Sequence, residues 1–254
     1  MKYPDDFINK VINDDCLKVM PNIPDKSINA IITDLPYGTT SCHWDTIIPF
    51  EPLWEQYKRI IKDNGAIVLF GSEPFSSFLR MSNLKDWKYD WIWHKSIPTG
   101  MMSAKYMPMK NHEIISVFGE KIKFYPQGEK RSENTHRTGQ GKTYTNSSEH
   151  NNGFSVIRKE PPELRNPTTV RYFPNVSRHQ SQHHTQKPVA LFEYLIKTYT
   201  NEGDLVLDNC AGSFTTAIAS ENLKRNWICI EKEKEYCDIG QKRLDAYRAQ
   251  KKLF

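Results

Sequence analysis

The chain has 254 residues, 38% of them hydrophobic and 26% charged, which is enough for one full α/β domain with an insertion and short for two independent enzymes. Its longest apolar runs are strand-sized, as in Asn29-Ala30-Ile31-Ile32, and its first six residues carry acids where a signal peptide would be apolar; these features argue against a membrane span or export and place the protein in the cytoplasm. The formal net charge is only +5, but it is unevenly spread: twelve Lys/Arg stand against five acids between Lys121 and Lys187, a local excess of +7 that leaves the remainder at −2.

Taken in chain order, a short strand is expected at Lys10 to Asn13 and a clear buried one at Ile28 to Thr33. A loop leads to an amphipathic helix from about Pro52 to Lys62, with Gly65 closing its C-cap side. Ala66 to Phe70 is a continuous apolar run of buried-strand length, and Pro74 opens a further helix. Strands fit Tyr89 to His94 and Glu113 to Phe118. From Gly119 to about His184 the sequence turns to Gly, Asn, Ser, Thr, Pro and basic residues with little periodicity, which marks an irregular insertion outside the core. The α/β pattern then resumes with helix Val189 to Tyr199, strand Asp204 to Asp208, helix Thr215 to Asn222, strand Trp227 to Glu231 and a last helix from Glu233.

The five cysteines, Cys16, Cys42, Cys210, Cys229 and Cys237, are scattered and lack any C-x-x-C spacing, so neither a disulfide framework nor a zinc site is expected. His179, His183 and His184 cluster, but without a paired cysteine or an H-E-x-x-H context; no metal is assigned to them.

Two segments carry chemistry. Ile31-Ile32-Thr33-Asp34-Leu35-Pro36-Tyr37-Gly38 ends a buried strand, at the sheet edge where doubly wound folds hold their ligands. Asp208-Asn209-Cys210-Ala211-Gly212-Ser213-Phe214-Thr215-Thr216 joins a strand to a helix through a turn of small residues whose backbone N–H groups can meet a polar ligand. One strand later Glu231 follows Ile230, and an acid there can accept hydrogen bonds from ribose hydroxyls. Singly, each is as well read as a turn, a helix cap or a solvated strand end. Their order around a basic insertion points instead to a nucleoside cofactor. A nicotinamide dehydrogenase is disfavoured because no G-x-G-x-x-G follows a strand.

On these residues the chain resembles the amino-group DNA methyltransferases of the permuted β group. Thr33-Asp34-Leu35-Pro36-Tyr37 resembles their D-P-P-Y motif, His184-Thr185-Gln186-Lys187-Pro188 their H-x-Q-K-P segment, and Asp208 to Thr216 their D-P-F-x-G-S-G-T-T loop. Asn13-Asp14-Asp15-Cys16-Leu17 is similar to the early strand end whose acid contacts the cofactor adenine, and Ile230-Glu231 to the end of the ribose site. The resemblance implies an α/β, Rossmann-like S-adenosylmethionine-dependent methyltransferase fold. It would be circularly permuted, three-layered (αβα), with residues 1–119 as the catalytic half, 120–184 as an irregular target-recognition insertion and 185–254 as the cofactor-binding half. It implies S-adenosyl-L-methionine as cofactor, held by Asp15, Asp34, Thr185, Lys187, Asp208, Cys210, Ala211, Gly212, Ser213, Thr215, Thr216 and Glu231.

Asp34, Leu35, Pro36 and Tyr37 would form the catalytic set. The Asp34 carboxylate and the Leu35 carbonyl accept the two N–H groups of an exocyclic amine, and Tyr37 stacks on a base turned out of the duplex. Double-stranded DNA is the implied partner, with the basic insertion as its reader; a homodimer and a cognate restriction nuclease are left open. Adenine N6 is the expected target, with cytosine N4, or a DNA-binding protein that has lost catalysis, as the alternatives. Two residues depart from the pattern: Leu35 stands for the first proline and Phe214 for the second glycine of the cofactor loop. Phe214 requires either a side chain turned away from the ligand or a reshaped loop.

Overall fold

The computed structural model describes residues 1–39, 42, 45–130, 164–176 and 186–251. The strands, in chain order, are β1 (Lys10–Ile12), β2 (Ile28–Asp34), β3 (Ile61–Gly71), β4 (Trp87–Thr99), β5 (Lys110–Phe118), β6 (Glu129–Lys130), β7 (Leu164–Arg165), β8 (Val170–Phe173), β9 (Leu205–Asp208) and β10 (Asn226–Ile230). The helices are α1 (Cys16–Val19), α2 (Phe50–Ile60), α3 (Phe75–Ser82), α4 (Val189–Tyr199), α5 (Thr215–Asn222) and α6 (Lys234–Lys251). Contacts divide the chain into one unit of Met1–Tyr125 with Thr169–Phe254 and a second of Pro126–Thr168. In the second unit β6 and β7 pair antiparallel, with the Arg165 guanidinium 2.7 Å from the Glu129 carboxylate.

In the larger unit eight strands form one sheet in the order β1-β10-β9-β2-β3-β5-β4-β8. β1, β10, β9, β2 and β3 run parallel; β5 is antiparallel to both β3 and β4, and β8 lies parallel to β4. The parallel strands read as unbroken apolar runs because both of their faces are covered. Alternate residues serve opposite faces: Ile67 and Leu69 pack with Leu53, Trp54 and Tyr57 of α2 and Phe75 of α3, while Val68 and Phe70 pack with Leu191, Leu195 and Ile196 of α4. A third cluster joins α5 and α6 to Trp227 and Cys229 of β10. The result is the three-layer αβα arrangement expected from the sequence.

Two readings of the sequence are corrected. Gly65 does not close α2, which ends at Ile60 with the Ile61 N–H bonded to the Tyr57 carbonyl. Gly65 lies inside β3, where a Cβ would stand 2.7 Å from the Asn29 carbonyl oxygen, so its missing side chain serves a close approach of two strands, beside an irregularity in their register. The stretch read as irregular also supplies β8, which closes one edge of the sheet beside β4. No helix among the described residues is long and apolar enough to cross a membrane. His179, His183 and His184 lie outside the described residues.

Candidate active site

Parallel strands that end at one edge of a sheet leave a crevice there. In this chain β2, β9 and β10 end beside a cavity of about 840 Å³ lined by Asp34, Asp208 and Glu231.

Asp34 is the last residue of β2, and both of its carboxylate oxygens are engaged: the Tyr37 hydroxyl donates to Oδ1 at 2.5 Å, and the Lys187 ammonium stands 2.6 Å from Oδ2. Lys187 also lies 3.3 Å from Oε2 of Glu113, whose other oxygen pairs with Lys95 at 3.1 Å. Two lysines and two carboxylates thus alternate along one chain of contacts with no net charge. Burial opposes the Lys187 ammonium, but the charges of Asp34 and Glu113 outweigh it and raise its pKa. Burial likewise pushes the Glu113 carboxyl up, yet the two lysines prevail and hold it below the usual range. For Asp34 burial and the Glu113 charge win over Lys187, and its pKa is raised. The Tyr37 ring stacks on Phe75 with centroids 5.2 Å apart, which fixes its plane.

The loop after β9 is held from four sides. Asp208 accepts from the Thr216 hydroxyl and, at 3.2 Å, from the Cys210 N–H; burial pushes its pKa up to about 6. Asn209 accepts from the buried Tyr57 hydroxyl at 2.5 Å. Glu231 accepts from the Gly212 N–H at 2.7 Å and the Glu233 N–H at 2.9 Å, so it ties the loop to the end of β10. Arg243 of α6 donates to the Ser213 carbonyl at 2.7 Å and to the Thr215 hydroxyl at 3.0 Å. Asp15 caps α1 by accepting from the Leu17 N–H, and it also lines the cavity.

The cavity brings together Asp15, Asp34, Leu35, Pro36, Tyr37, Lys187, Asp208, Cys210, Ala211, Gly212, Ser213, Thr215 and Glu231. Thr216 is not among its lining residues; it is fully buried, with its hydroxyl on Asp208. Thr185 lies outside the described residues. Phe214 is absent from the cavity wall as well: it sits in a left-handed conformation, φ 58°, with its side chain buried in the cluster beneath α6. Lys187 points its ammonium at Asp34 and Glu113.

Glu113, Lys95, Tyr57 and Arg243 were not singled out from the sequence. A signal for two of them lay in the strand alternation, because Lys95 falls on the inward side with Trp91 and Trp93, and Glu113 with Ile115 and Val117. A charged residue at an inward position needs a partner. Nothing local marks Tyr57 or Arg243, whose partners are remote in sequence.

The chain is similar to several known proteins. A type II methyltransferase, M.HpaI of Haemophilus parainfluenzae, is 29% identical over 93% of this chain and 74% of its own length. The DNA adenine methyltransferase YhdJ of Escherichia coli strain K12 is 27% identical over 92% of this chain and 82% of its own. Among solved structures, the M1.HpyAVI–SAM complex superposes with a TM-score of 0.63 at 24% identity, covering 92% of this chain and 98% of the other, and shares the fold. The profile of the N6/N4 methyltransferase family described as DNA methylase matches residues 28–242, a span from β2 to the middle of α6, and the chain belongs to that family.

Proposed function

We propose that the chain transfers a methyl group from S-adenosylmethionine to the N6 amine of adenine in double-stranded DNA. The observation that carries this reading is that the Asp34 carboxylate, the loop after β9 and Glu231 at the end of β10 line a single cavity. The adenine assignment is supported by the name of YhdJ and by the aspartate at position 34. M.HpaI and two further relatives, from Haemophilus influenzae and Streptococcus pneumoniae, are named type II methyltransferases, which supports a cognate restriction nuclease as partner.

The residues present fit the cofactor. Gly212 has φ +50° and nothing within 4 Å of where a Cβ would stand, so the loop leaves open space at that point. Glu231 offers remaining lone pairs to ribose hydroxyls, and Asp15 an acceptor for an amino group. When bound, S-adenosylmethionine supplies a methyl group already activated by its sulfonium.

The protein has the harder task of making an amine nucleophilic whose lone pair is delocalised into the base. Asp34 and the Leu35 carbonyl accept its two N–H groups and favour a pyramidal nitrogen. Each Asp34 oxygen already accepts one donor and retains a second lone pair for this purpose. The Lys187 ammonium opposes the rise that burial gives the Asp34 pKa, and as the nitrogen gains positive charge the ionised carboxylate gains more than in the ground state. The Tyr37 ring, its plane set by Phe75, stacks on the turned-out base; such stacking is worth ~1–3 kcal/mol, against the few spent on unpairing.

The test is transfer of labelled methyl from S-adenosylmethionine to duplex DNA, followed by digestion to nucleosides. Label in N6-methyladenine supports the reading, label in N4-methylcytosine replaces its target, and absence of label with no calorimetric binding of the cofactor overturns it.

A further inference from the structure

Four large apolar side chains stand exposed within seven consecutive positions of the connection between β4 and β5: Met101 at 72%, Met102 at 98%, Tyr106 at 88% and Met107 at 60% of full accessibility. Solvent disfavours such a cluster, and clustered exposure marks a contact surface where isolated exposed residues do not. The segment is nonetheless ordered by its own backbone. Gly100 turns the chain at φ +92°, and the N–H groups of Ser103, Ala104, Tyr106 and Met107 bond to carbonyls three or four residues earlier at 2.9–3.1 Å. Its conformation is therefore set before anything binds.

Position and charge identify the partner. Thr99 at the end of β4 and Gly100, Ser103, Met107 and Pro108 of this connection line the same cavity as Asp34, so the apolar tip borders the opening through which a base must pass. From Ser96 to His112 the sequence has two lysines and no acid, which suits a polyanion. A base turned out of a duplex leaves a gap in the stack. Flexible, polarisable methionine and flat tyrosine are side chains able to fill it, as apolar wedges do between base steps.

We infer that this tip inserts into the DNA, with Met102 and Tyr106 occupying the space vacated by the target base. The inference rests on the methyltransferase reading given above and adds to it a residue-level device for opening the duplex. Neither Met102 nor Tyr106 lines the cavity, so their loss leaves cofactor binding in place.

The experiment compares wild type with the Met102→Ser/Tyr106→Ser variant on two oligonucleotide duplexes bearing the site identified by modified-base sequencing of plasmid DNA. One duplex is fully paired; in the other the target base faces an abasic site, so that it is already unpaired. On the paired duplex the variant is expected to methylate about tenfold more slowly or worse, and on the abasic duplex within about twofold of wild type, with calorimetric affinity for S-adenosylmethionine unchanged. Equal loss on both duplexes, or no loss on either, overturns the wedge. Sedimentation showing that the substitutions dissociate a dimer, with equal rate loss on both duplexes, assigns the tip to a second copy of the chain and overturns it too. Wild type that methylates neither duplex overturns the underlying reading as well.

Discussion

The ring of Phe214 occupies the space that a side chain at position 240 would need: a Cβ on Gly240 of α6 would stand 2.7 Å from two of its ring carbons. A bulky residue at this point of the loop after β9 is thereby stored under α6, away from the cavity, at the cost of a left-handed backbone of about 1–2 kcal/mol. The two residues should act as a pair. Gly240→Ala alone is expected to destabilise by about 1–2 kcal/mol through overpacking, in spite of its better helix propensity, and Phe214→Ala alone by about 3–5 kcal/mol. In the Phe214→Ala background Gly240→Ala should be neutral or stabilising. Urea titrations of the four proteins measure the coupling, and simple additivity would contradict the packing described.

Glu113 is the carboxylate shared by Lys187 and Lys95, both nearly inaccessible to solvent. Glu113→Gln leaves two buried ammonium groups with one remaining carboxylate, and a loss of about 3 kcal/mol is expected in chemical denaturation. Because the folded pKa of Glu113 is depressed, its contribution is present above the unfolded value and fades as pH falls through the folded one. The deficit of the variant should therefore be full at neutral pH and shrink in acid. A second substitution, Lys95→Met, should recover part of it.

Asp208 has the opposite sign. Burial raises it from an ordinary 3.8 to about 6, so its relative stabilisation is fully present below pH 4 and is lost as pH rises through 6, a difference of roughly 3 kcal/mol. Asp208→Asn should flatten this part of the stability–pH curve between about pH 4 and 6. An unchanged slope in thermal melts across that window would show that the carboxyl does not titrate as described.

Arg243 reaches from α6 to Ser213 and Thr215 without lining the cavity. Arg243→Ala should leave the fold intact while loosening the loop, weakening S-adenosylmethionine by about tenfold in calorimetry. A shift in KM for the cofactor with kcat on DNA nearly unchanged would separate this positioning role from a general loss of fold.

The sheet was legible in the sequence because its central strands are buried on both faces: Ile28 to Thr33 and Ala66 to Phe70 can hardly be anything else. Gly65 misled because a glycine after a helical run marks a C-cap as readily as a strand contact, and only the neighbouring Asn29 carbonyl decides between them. In the site, Asp34 and Glu231 announce themselves by ending apolar strands. Glu113, Lys95 and Arg243 do not, since their meaning lies in partners contributed by other elements. Phe214 was legible as an anomaly, but its resolution required Gly240, 26 positions away.

If the Asp34 carboxylate accepts the reacting amine, methyl transfer cannot survive its removal. DNA from cells expressing the wild type or Asp34→Ala is sequenced with detection of modified bases, after calorimetry has shown that both proteins bind S-adenosylmethionine. N6-methyladenine is expected at one short recurring sequence with the wild type and none above background with the variant. Methylation retained by Asp34→Ala at the same sites would contradict it.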